Sequence, residues 1–232
     1  MLATAHSSEP VRIALIHATA LAVDPIQAAF ARHWPQARRM NLLDDSLSTD
    51  LAREGSLTES MIQRFMDLAL YARASGCSGI LFTCSAFGPA IEAAARASAI
   101  PTLKPNTAMF EQALATPVKG RPIKIGLVAS FQPSIASMRE ELLDMARLHR
   151  MAIDLRTVFA AHAMDDLAQG RDEDHHRRVA QAAQQFDDCD VVMLAQFSMA
   201  AAAAQVHAAI GCRVLSSPDC AVLALQKRVA HA

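Results

Sequence analysis

The chain has few aromatic residues, no excess of charge of either sign and no long uninterrupted hydrophobic run. Aromatic residues make up 5% of its 232 positions, and 22 Lys and Arg against 23 Asp and Glu leave a net charge of −1. The sequence therefore lacks the basic surface and the stacking platforms expected of a nucleic-acid-binding protein. We also expect no membrane span, because the most apolar stretch, residues 200–211, is interrupted by Gln205 and His207.

Cysteine and glycine are too few or too scattered for several common types of site. An odd number of cysteines without a CxxC pair argues against both a disulfide framework and a zinc site. The five are Cys77, Cys84, Cys189, Cys212 and Cys220. The eight glycines form neither a GxGxxG nor a Walker motif. The first residues lack the basic start and apolar core of a signal peptide, so we expect a cytoplasmic protein with a flexible N-terminus at 1–10.

What the sequence does contain is 52% hydrophobic residues, arranged in short runs that alternate with helical stretches. Continuous apolar runs predict buried parallel strands at 11–17, 79–84, 123–130 and 190–196, with weaker strands at 38–43, at 153–159 and near Leu103 and Leu215. Helices are predicted after Asp24-Pro25, over 58–74, after Pro133 and over 179–186. Strands alternating with helices predict an α/β fold with parallel sheets and helices on both faces.

The two halves of the chain repeat at an offset of 112 residues. This offset aligns Ile13 with Ile125, Cys77 with Cys189, and Cys84 with Gln196. All four pairs of predicted strands then fall in register without a gap, which predicts a duplicated α/β unit. We therefore expect two pseudo-symmetric lobes, each a parallel sheet flanked by helices. The first comprises 11–105 plus 217–232, and the second comprises 106–216.

The chemistry is expected at Cys84, where a buried strand runs into a turn before an Ala-rich helix that starts near Pro89. Ligands of open α/β sheets bind at the carboxyl ends of the strands. The N–H groups of the turn can hold a carboxylate, and the field of the helix N-terminus is expected to lower the pKa of the thiol. Cys84 is therefore the candidate reactive group, with a buried structural thiol as the alternative.

The chain also resembles the aspartate/glutamate/hydantoin racemase superfamily, which includes arylmalonate decarboxylase and maleate isomerase. The resemblance extends from Val11 onward and rests on four segments, FTCSAFG from Phe82, IGLVAS from Ile125, LAQFSMA from Leu194 and VLSSPDCAV from Val214. It implies an active site in the cleft between two lobes, each of which supplies a cysteine, without a metal or other cofactor. Cys84 matches the first family cysteine, whereas Gln196 stands where the second thiol would be.

A glutamine in that place changes the expected reaction. Gln196 cannot serve as an acid or base near neutral pH, but it can donate a hydrogen bond to a carboxylate or an enolate. We therefore expect an isomerase that acts at the α-carbon of a small carboxylate, such as an amino acid, with one catalytic cysteine. The alternatives are a decarboxylase of a malonate-type acid, a non-catalytic protein that binds a small acid, and a cysteine hydrolase with His17 as its base.

Further residues are predicted at the strand ends that should rim the same cleft. The candidate substrate-binding residues are His17, Thr19, Thr83, Ser85, Ser130, Phe131, Ser134, Phe197 and Ser198. Helix capping is the alternative for the hydroxyl residues, core packing for the two phenylalanines, and a backbone-satisfied strand end for His17. Lys104 and Arg156 are the cations considered as partners of the substrate.

Two remaining features allow alternative interpretations. The run RDEDHHRR at 171–178 contains adjacent histidines, His175 and His176, that are conceivable metal ligands. Neighbouring residues do not share a helix face, so a solvated helix start is favoured and no metal is expected. An exposed Ala- and Met-rich helix face would be consistent with a homo-oligomer.

Overall fold

The computed structural model describes residues 10–232, so that the predicted flexible segment 1–10 lies, apart from Pro10, outside the described residues. Within this range the chain forms eight strands. These are β1 (Arg12–His17), β2 (Arg38–Leu43), β3 (Gly79–Phe82), β4 (Thr102–Leu103), β5 (Ile123–Ala129), β6 (Ile153–Phe159), β7 (Val191–Leu194) and β8 (Arg213–Ser216). Each lies where an apolar run predicts it, with ends that differ by no more than two residues for the strong runs.

Helices connect successive strands. They are α1 (Val23–His33), α2 (Ser46–Glu54), α3 (Glu59–Ala74), α4 (Gly88–Ser98), α5 (Thr107–Leu114), α6 (Ser134–Leu148), α7 (Ala163–Ala168), α8 (Asp172–Ala183), α9 (Ala203–Ile210) and α10 (Ser217–Ala230). Local capping explains two of the starts, because Thr58 accepts a hydrogen bond from the N–H of Met61 and Ser216 accepts one from that of Asp219. The helix predicted over 179–186 begins earlier, at Asp172, with three acidic residues in its first turn.

The strands form two four-stranded sheets in the orders β2-β1-β3-β4 and β6-β5-β7-β8. Every recorded strand pair is parallel. Alternate residues of the central strands face opposite helix layers: Ile13 and Leu15 pack with α1 and α10, whereas Ala14 and Ile16 pack with α3 and α4. The predicted α/β fold of two parallel sheets flanked by helices is confirmed.

The repeat is correct for three strand pairs and needs a gap at the fourth. Ile13 pairs with Arg39 in the first sheet, and Ile125 pairs with Leu155 in the second. The second strands therefore correspond at an offset of 116 and not 112, so that the expectation of a gap-free repeat is wrong there. The reason is that α6 has 15 residues where α1 has 11, about one extra turn of helix.

The last helix, α10, packs on both lobes. Ala221, Val222 and Leu225 belong to the core of the first sheet, whereas Cys220 lies in the core of the second. The boundaries predicted for the two lobes, with 217–232 assigned to the first, stay a prediction. No helix among residues 10–232 combines the length and apolar character that crossing a bilayer requires.

Candidate active site

A cavity of about 500 Å³ opens at the carboxyl ends of β1, β3, β5 and β7. Nine of the predicted site residues line it: Thr19, Thr83, Cys84, Ser85, Phe131, Ser134, Gln196, Phe197 and Ser198. They come from both sheets, so the cavity lies between the lobes as the duplicated fold leads one to expect. The exposed side chains of Leu21 and Phe131 also line it, which makes part of its wall apolar.

Cys84 follows β3 and precedes a single 3-10 turn, Ser85–Phe87, that leads into α4. Its side chain is half-buried against the apolar core of the first lobe while it lines the cavity. Burial raises the pKa of the Cys84 thiol above its ordinary value, and a hydrogen bond from the backbone of Ala86 opposes this only in part. The expectation of a lowered pKa is therefore wrong, because desolvation outweighs the dipoles of the turn.

Gln196 occupies the corresponding position after β7, and its amide is held by the second lobe. Its Oε1 accepts hydrogen bonds from the backbone N–H of Ser130 at 2.7 Å and from the Ser130 hydroxyl at 3.1 Å. Its Nε2 donates to the Ser134 hydroxyl at 2.8 Å. The carbonyl end is thus occupied by protein donors, and only the N–H end of the amide can serve a ligand in the cavity.

Ser130 is consequently a supporting residue and not a cavity residue. It is 3% exposed, does not line the cavity and bonds to the oxygen end of the Gln196 amide. The structure does not place Ser130 in the wall of the cavity, because the turn after β5 directs both its N–H and its hydroxyl toward the Gln196 amide.

His17 is fully buried and does not line the cavity. Its Nδ1 lies 2.8 Å from the Thr83 hydroxyl, and its Nε2 lies 3.1 Å from Oδ1 of Asn41, an oxygen that also accepts from Gln27. Nε2 therefore carries the ring proton, and Nδ1 accepts a hydrogen bond from the Thr83 hydroxyl. Burial lowers the pKa of His17, opposed by the bond to Asn41. The structure therefore places His17 behind the wall of the cavity, and among the described residues it is joined to a lining residue through Thr83. The substrate contact and the role as a base on Cys84 stay predictions.

Two of the remaining hydroxyl residues, Thr19 and Ser134, make local hydrogen bonds. Thr19 accepts a bond from the N–H of Leu21 at 3.4 Å, and the Ser134 hydroxyl donates to the carbonyl of Phe131 at 2.8 Å. Both therefore have local partners in addition to their place in the wall. Phe197 is buried, lines the cavity and also contributes to the core of the first lobe.

Sequence reasoning missed several lining residues, among them Ser48, Pro105, Asn106, Ser137 and Met164. Most of them carry no local signal beyond a turn or a helix. Asn106 is the exception, because a buried asparagine at the crossing between the lobes needs partners for its amide.

Among the described residues, the side chains that line this cavity include no Lys, Arg, His, Asp or Glu. The two cations considered from the sequence are engaged elsewhere. Lys104 contacts Glu92 at 3.1 Å and Glu141 at 3.4 Å, and Arg156 contacts Asp188. A carboxylate in this cavity would therefore be held by N–H and O–H dipoles, which is a known way of binding an oxyanion.

The adjacent histidines of the run at 171–178 do not form a metal centre. Among residues 10–232, no group of three or more His, Cys, Asp or Glu side chains is placed to hold a metal ion. His175 is fully buried in the first turns of α8, and neither ring nitrogen has a hydrogen-bond partner. The solvated helix start expected here is therefore wrong for His175, which shares a buried stripe with Val179 and Ala183.

This buried histidine predicts a loss of stability in acid. Burial, reinforced by the neighbouring His176, lowers the pKa of His175 below that of the unfolded chain. The unfolded state then binds more protons, so the free energy of unfolding falls as the pH falls below the unfolded value of about 6.5, by at most about 1.4 kcal/mol per pH unit. We expect His175→Leu to reduce this slope in urea titrations between pH 7 and 5, with exposed His149→Leu as the control. Equal slopes for all three proteins would contradict the prediction.

Comparisons with known proteins agree with this architecture. The sequence model of the Asp/Glu/Hydantoin racemase family matches residues 13–225. A glutamate racemase isoform from Bacillus anthracis has a TM-score of 0.69 at 15% identity, covering 97% of this chain and 83% of its own. Allantoin racemase from Klebsiella pneumoniae has a TM-score of 0.68 at 17% identity, covering 95% and 88%.

Arylmalonate decarboxylase is similar as well, with a TM-score of 0.64 at 16% identity and coverage of 94% of this chain and 92% of its own. At such identities the likeness concerns the fold alone. No curated protein matches the sequence. Because the family model spans nearly all of the described residues, the chain belongs to the Asp/Glu/Hydantoin racemase family.

Proposed function

We propose that this protein is a cofactor-independent enzyme that transfers a proton at the α-carbon of a small carboxylate through Cys84. One observation carries the proposal: among the described residues, Cys84 is the only side chain lining the cavity that is an ionisable acid or base. The carboxylate would be bound by the N–H groups of the turn after Cys84 and by the N–H end of Gln196. These dipoles would also stabilise the negative charge that develops on the enediolate.

As an isomerase, the enzyme would work from one face of the substrate. The Cys84 thiolate would remove the α-proton, leaving the electron pair delocalised into the carboxylate, and the resulting thiol would return a proton to the carbon. Because Gln196 offers no acid on the opposite side, inversion would require the planar intermediate to turn within the cavity.

The raised pKa of Cys84 favours a second candidate, decarboxylation of a malonate-type acid. The bond between the α-carbon and one carboxylate would break, CO₂ would leave and the electron pair would remain as an enediolate. The thiol would then protonate the carbon, and water would restore the thiol. This reaction needs Cys84 as a thiol at rest, which is the form that burial stabilises.

Deuterium exchange from solvent at the α-carbon tests both candidates. The panel should comprise amino acids, 2-substituted malonates and maleate, with NMR to follow exchange, stereochemistry and release of CO₂. The one-thiol site is supported if the α-carbon of the substrate or of the decarboxylated product takes up deuterium on one face only. Rapid racemisation that persists in Cys84→Ala would contradict it, and tight binding of an acid without any turnover would favour the non-catalytic alternative.

Gln196 provides a separate test of how the acid is held. In Gln196→Glu the carboxylate keeps the acceptor for Ser130 but replaces the N–H end with negative charge. Because no described residue that lines the cavity is cationic, we expect kcat/KM to fall by about 10- to 100-fold, mainly through KM. Gln205→Glu is the matched control, since that side chain is exposed on α9 and does not line the cavity. An unchanged KM in Gln196→Glu would count against a carboxylate beside Gln196.

A further inference from the structure

Asn106 is a buried amide with one end unused. It precedes α5 at a position where asparagine commonly accepts a hydrogen bond from the helix N–H groups, yet its side chain makes no such bond. Its Oδ1 accepts instead from the hydroxyl of Ser217 at 2.7 Å. The side chain is 3% exposed, and Nδ2 has no hydrogen-bond partner among the described residues.

Ser217 occupies the oxygen end of the Asn106 amide. It is fully buried at the start of α10 and lies far from Asn106 in the sequence, so the contact joins the crossing between the lobes to the last helix. Because the serine hydroxyl donates to Oδ1, the two hydrogens of Nδ2 are left as the unused donors. The fold thus holds this donor in place before any ligand arrives.

Asn106 also lies where two cavities meet. It lines the cavity that contains Cys84 and Gln196, and it lines a smaller neighbouring cavity of about 180 Å³ that shares Ser85 with the first. A buried amide N–H without an acceptor is unfavourable and uncommon in folded proteins. The position of Asn106 therefore indicates that an acceptor is supplied from within the cavity.

We propose that Nδ2 of Asn106 is a substrate-binding donor that holds a carboxylate oxygen of the small acid; this inference rests on the function proposed above. Lys104, two residues earlier, is held by Glu92 and Glu141 and does not line the larger cavity. An anionic group in that cavity therefore depends on neutral donors, and Asn106 supplies one that the protein leaves unpaired. Its role is binding and not proton transfer, because an amide neither gains nor loses a proton near neutral pH.

The test is calorimetric binding of malonate, phenylmalonate and maleate, with malonamide as the uncharged comparison. It is carried out in Cys84→Ala protein, so that turnover does not disturb the titration. Asn106→Asp retains the shape and the acceptor for Ser217 but replaces the donor with negative charge. We expect this change to weaken binding of the acids by about 100-fold or more, and to weaken malonamide binding less. Asn106→Ala, a second variant should the aspartate perturb folding, should weaken acid binding by about 10-fold.

Thr107→Val is the matched control. Its hydroxyl is also buried without a partner and lies next in the chain, but Thr107 does not line either cavity. We expect this variant to bind the acids as the parent does. Here the parent is the Cys84→Ala protein. Equal acid binding by this parent and by its Asn106→Asp derivative would overturn the assignment. Failure of all three acids to bind the parent would overturn it as well. Retained acid binding with no Cys84-dependent exchange would instead reject only the proposed catalysis.

Discussion

Replacing Cys84 with alanine is expected to lower kcat/KM for the preferred acid by about 100- to 10,000-fold, the range typical for loss of a general acid or base. The reason is that no other side chain lining the cavity, among those the structure describes, can exchange a proton near neutral pH. Cys84→Ser is expected to fall in the same range, because an alcohol is a much weaker acid than a thiol. Initial rates of α-carbon exchange or CO₂ release measure the effect.

Cys212→Ser is the control for this prediction. Cys212 has intermediate exposure, does not line the cavity, and its thiol contacts only the carbonyl of Arg213 among the recorded hydrogen bonds of the described residues. This variant should retain the activity of the parent. Activity in Cys84→Ala within a factor of about two of the parent would refute the assigned role, since such a change lies far below the loss of a catalytic group.

The pH profile adds a second, independent criterion. Burial raises the pKa of Cys84, so the thiol form persists through neutral pH and is lost only as the pH rises past that raised value. A reaction limited by proton donation should therefore be constant near neutrality and decline in alkali. A reaction limited by proton removal should rise with pH over the same interval. The sign of this slope separates decarboxylation from isomerisation.

Gly126→Ala is expected to destabilise the protein by about 1 to 3 kcal/mol, the usual cost of overpacking a core. Gly126 lies in the centre of β5, and a methyl group there would lie 2.5 Å from Cδ2 and 2.7 Å from Cγ of Phe186. That ring is 2% exposed and has the Arg156 guanidinium 5.6 Å from its centroid, so it has little room to move. Urea denaturation measures the change in the free energy of unfolding.

Two further variants make the glycine result specific. Gly88→Ala places a methyl group where no atom lies within 4 Å and should leave stability unchanged or slightly higher. In a double-mutant cycle, Gly126→Ala should cost less stability in the Phe186→Leu background than in the parent, because the smaller side chain leaves room for the methyl group. A Gly126→Ala protein within about 0.5 kcal/mol of the parent would show that β5 shifts to accommodate the methyl group.

The backbone architecture could be predicted because its causes are local. Continuous apolar runs mark the buried strands, and the alternation with helices leads to parallel sheets. These features also place Cys84 and Gln196 at equivalent strand ends. The length of α6 relative to α1 was hidden by the uniform offset of the repeat, so the shift of β6 could not be predicted.

The side-chain environment could be predicted less well because it depends on distant partners. The direction of the Cys84 pKa shift follows from burial by other elements, and the position of His17 follows from Thr83 and Asn41. The role proposed for Asn106 depends on its bond to Ser217, which is more than a hundred residues away in the sequence. For His175 a signal did exist, since its spacing of four from Val179 and eight from Ala183 is typical of a buried helix stripe.

The position of α10 has a consequence for the independence of the two halves of the chain. One terminal helix covers an apolar layer on each sheet, with Leu225 in one layer and Cys220 in the other. Removing this helix would expose both layers to water, so that a truncation at one end of the chain would weaken both sheets at once.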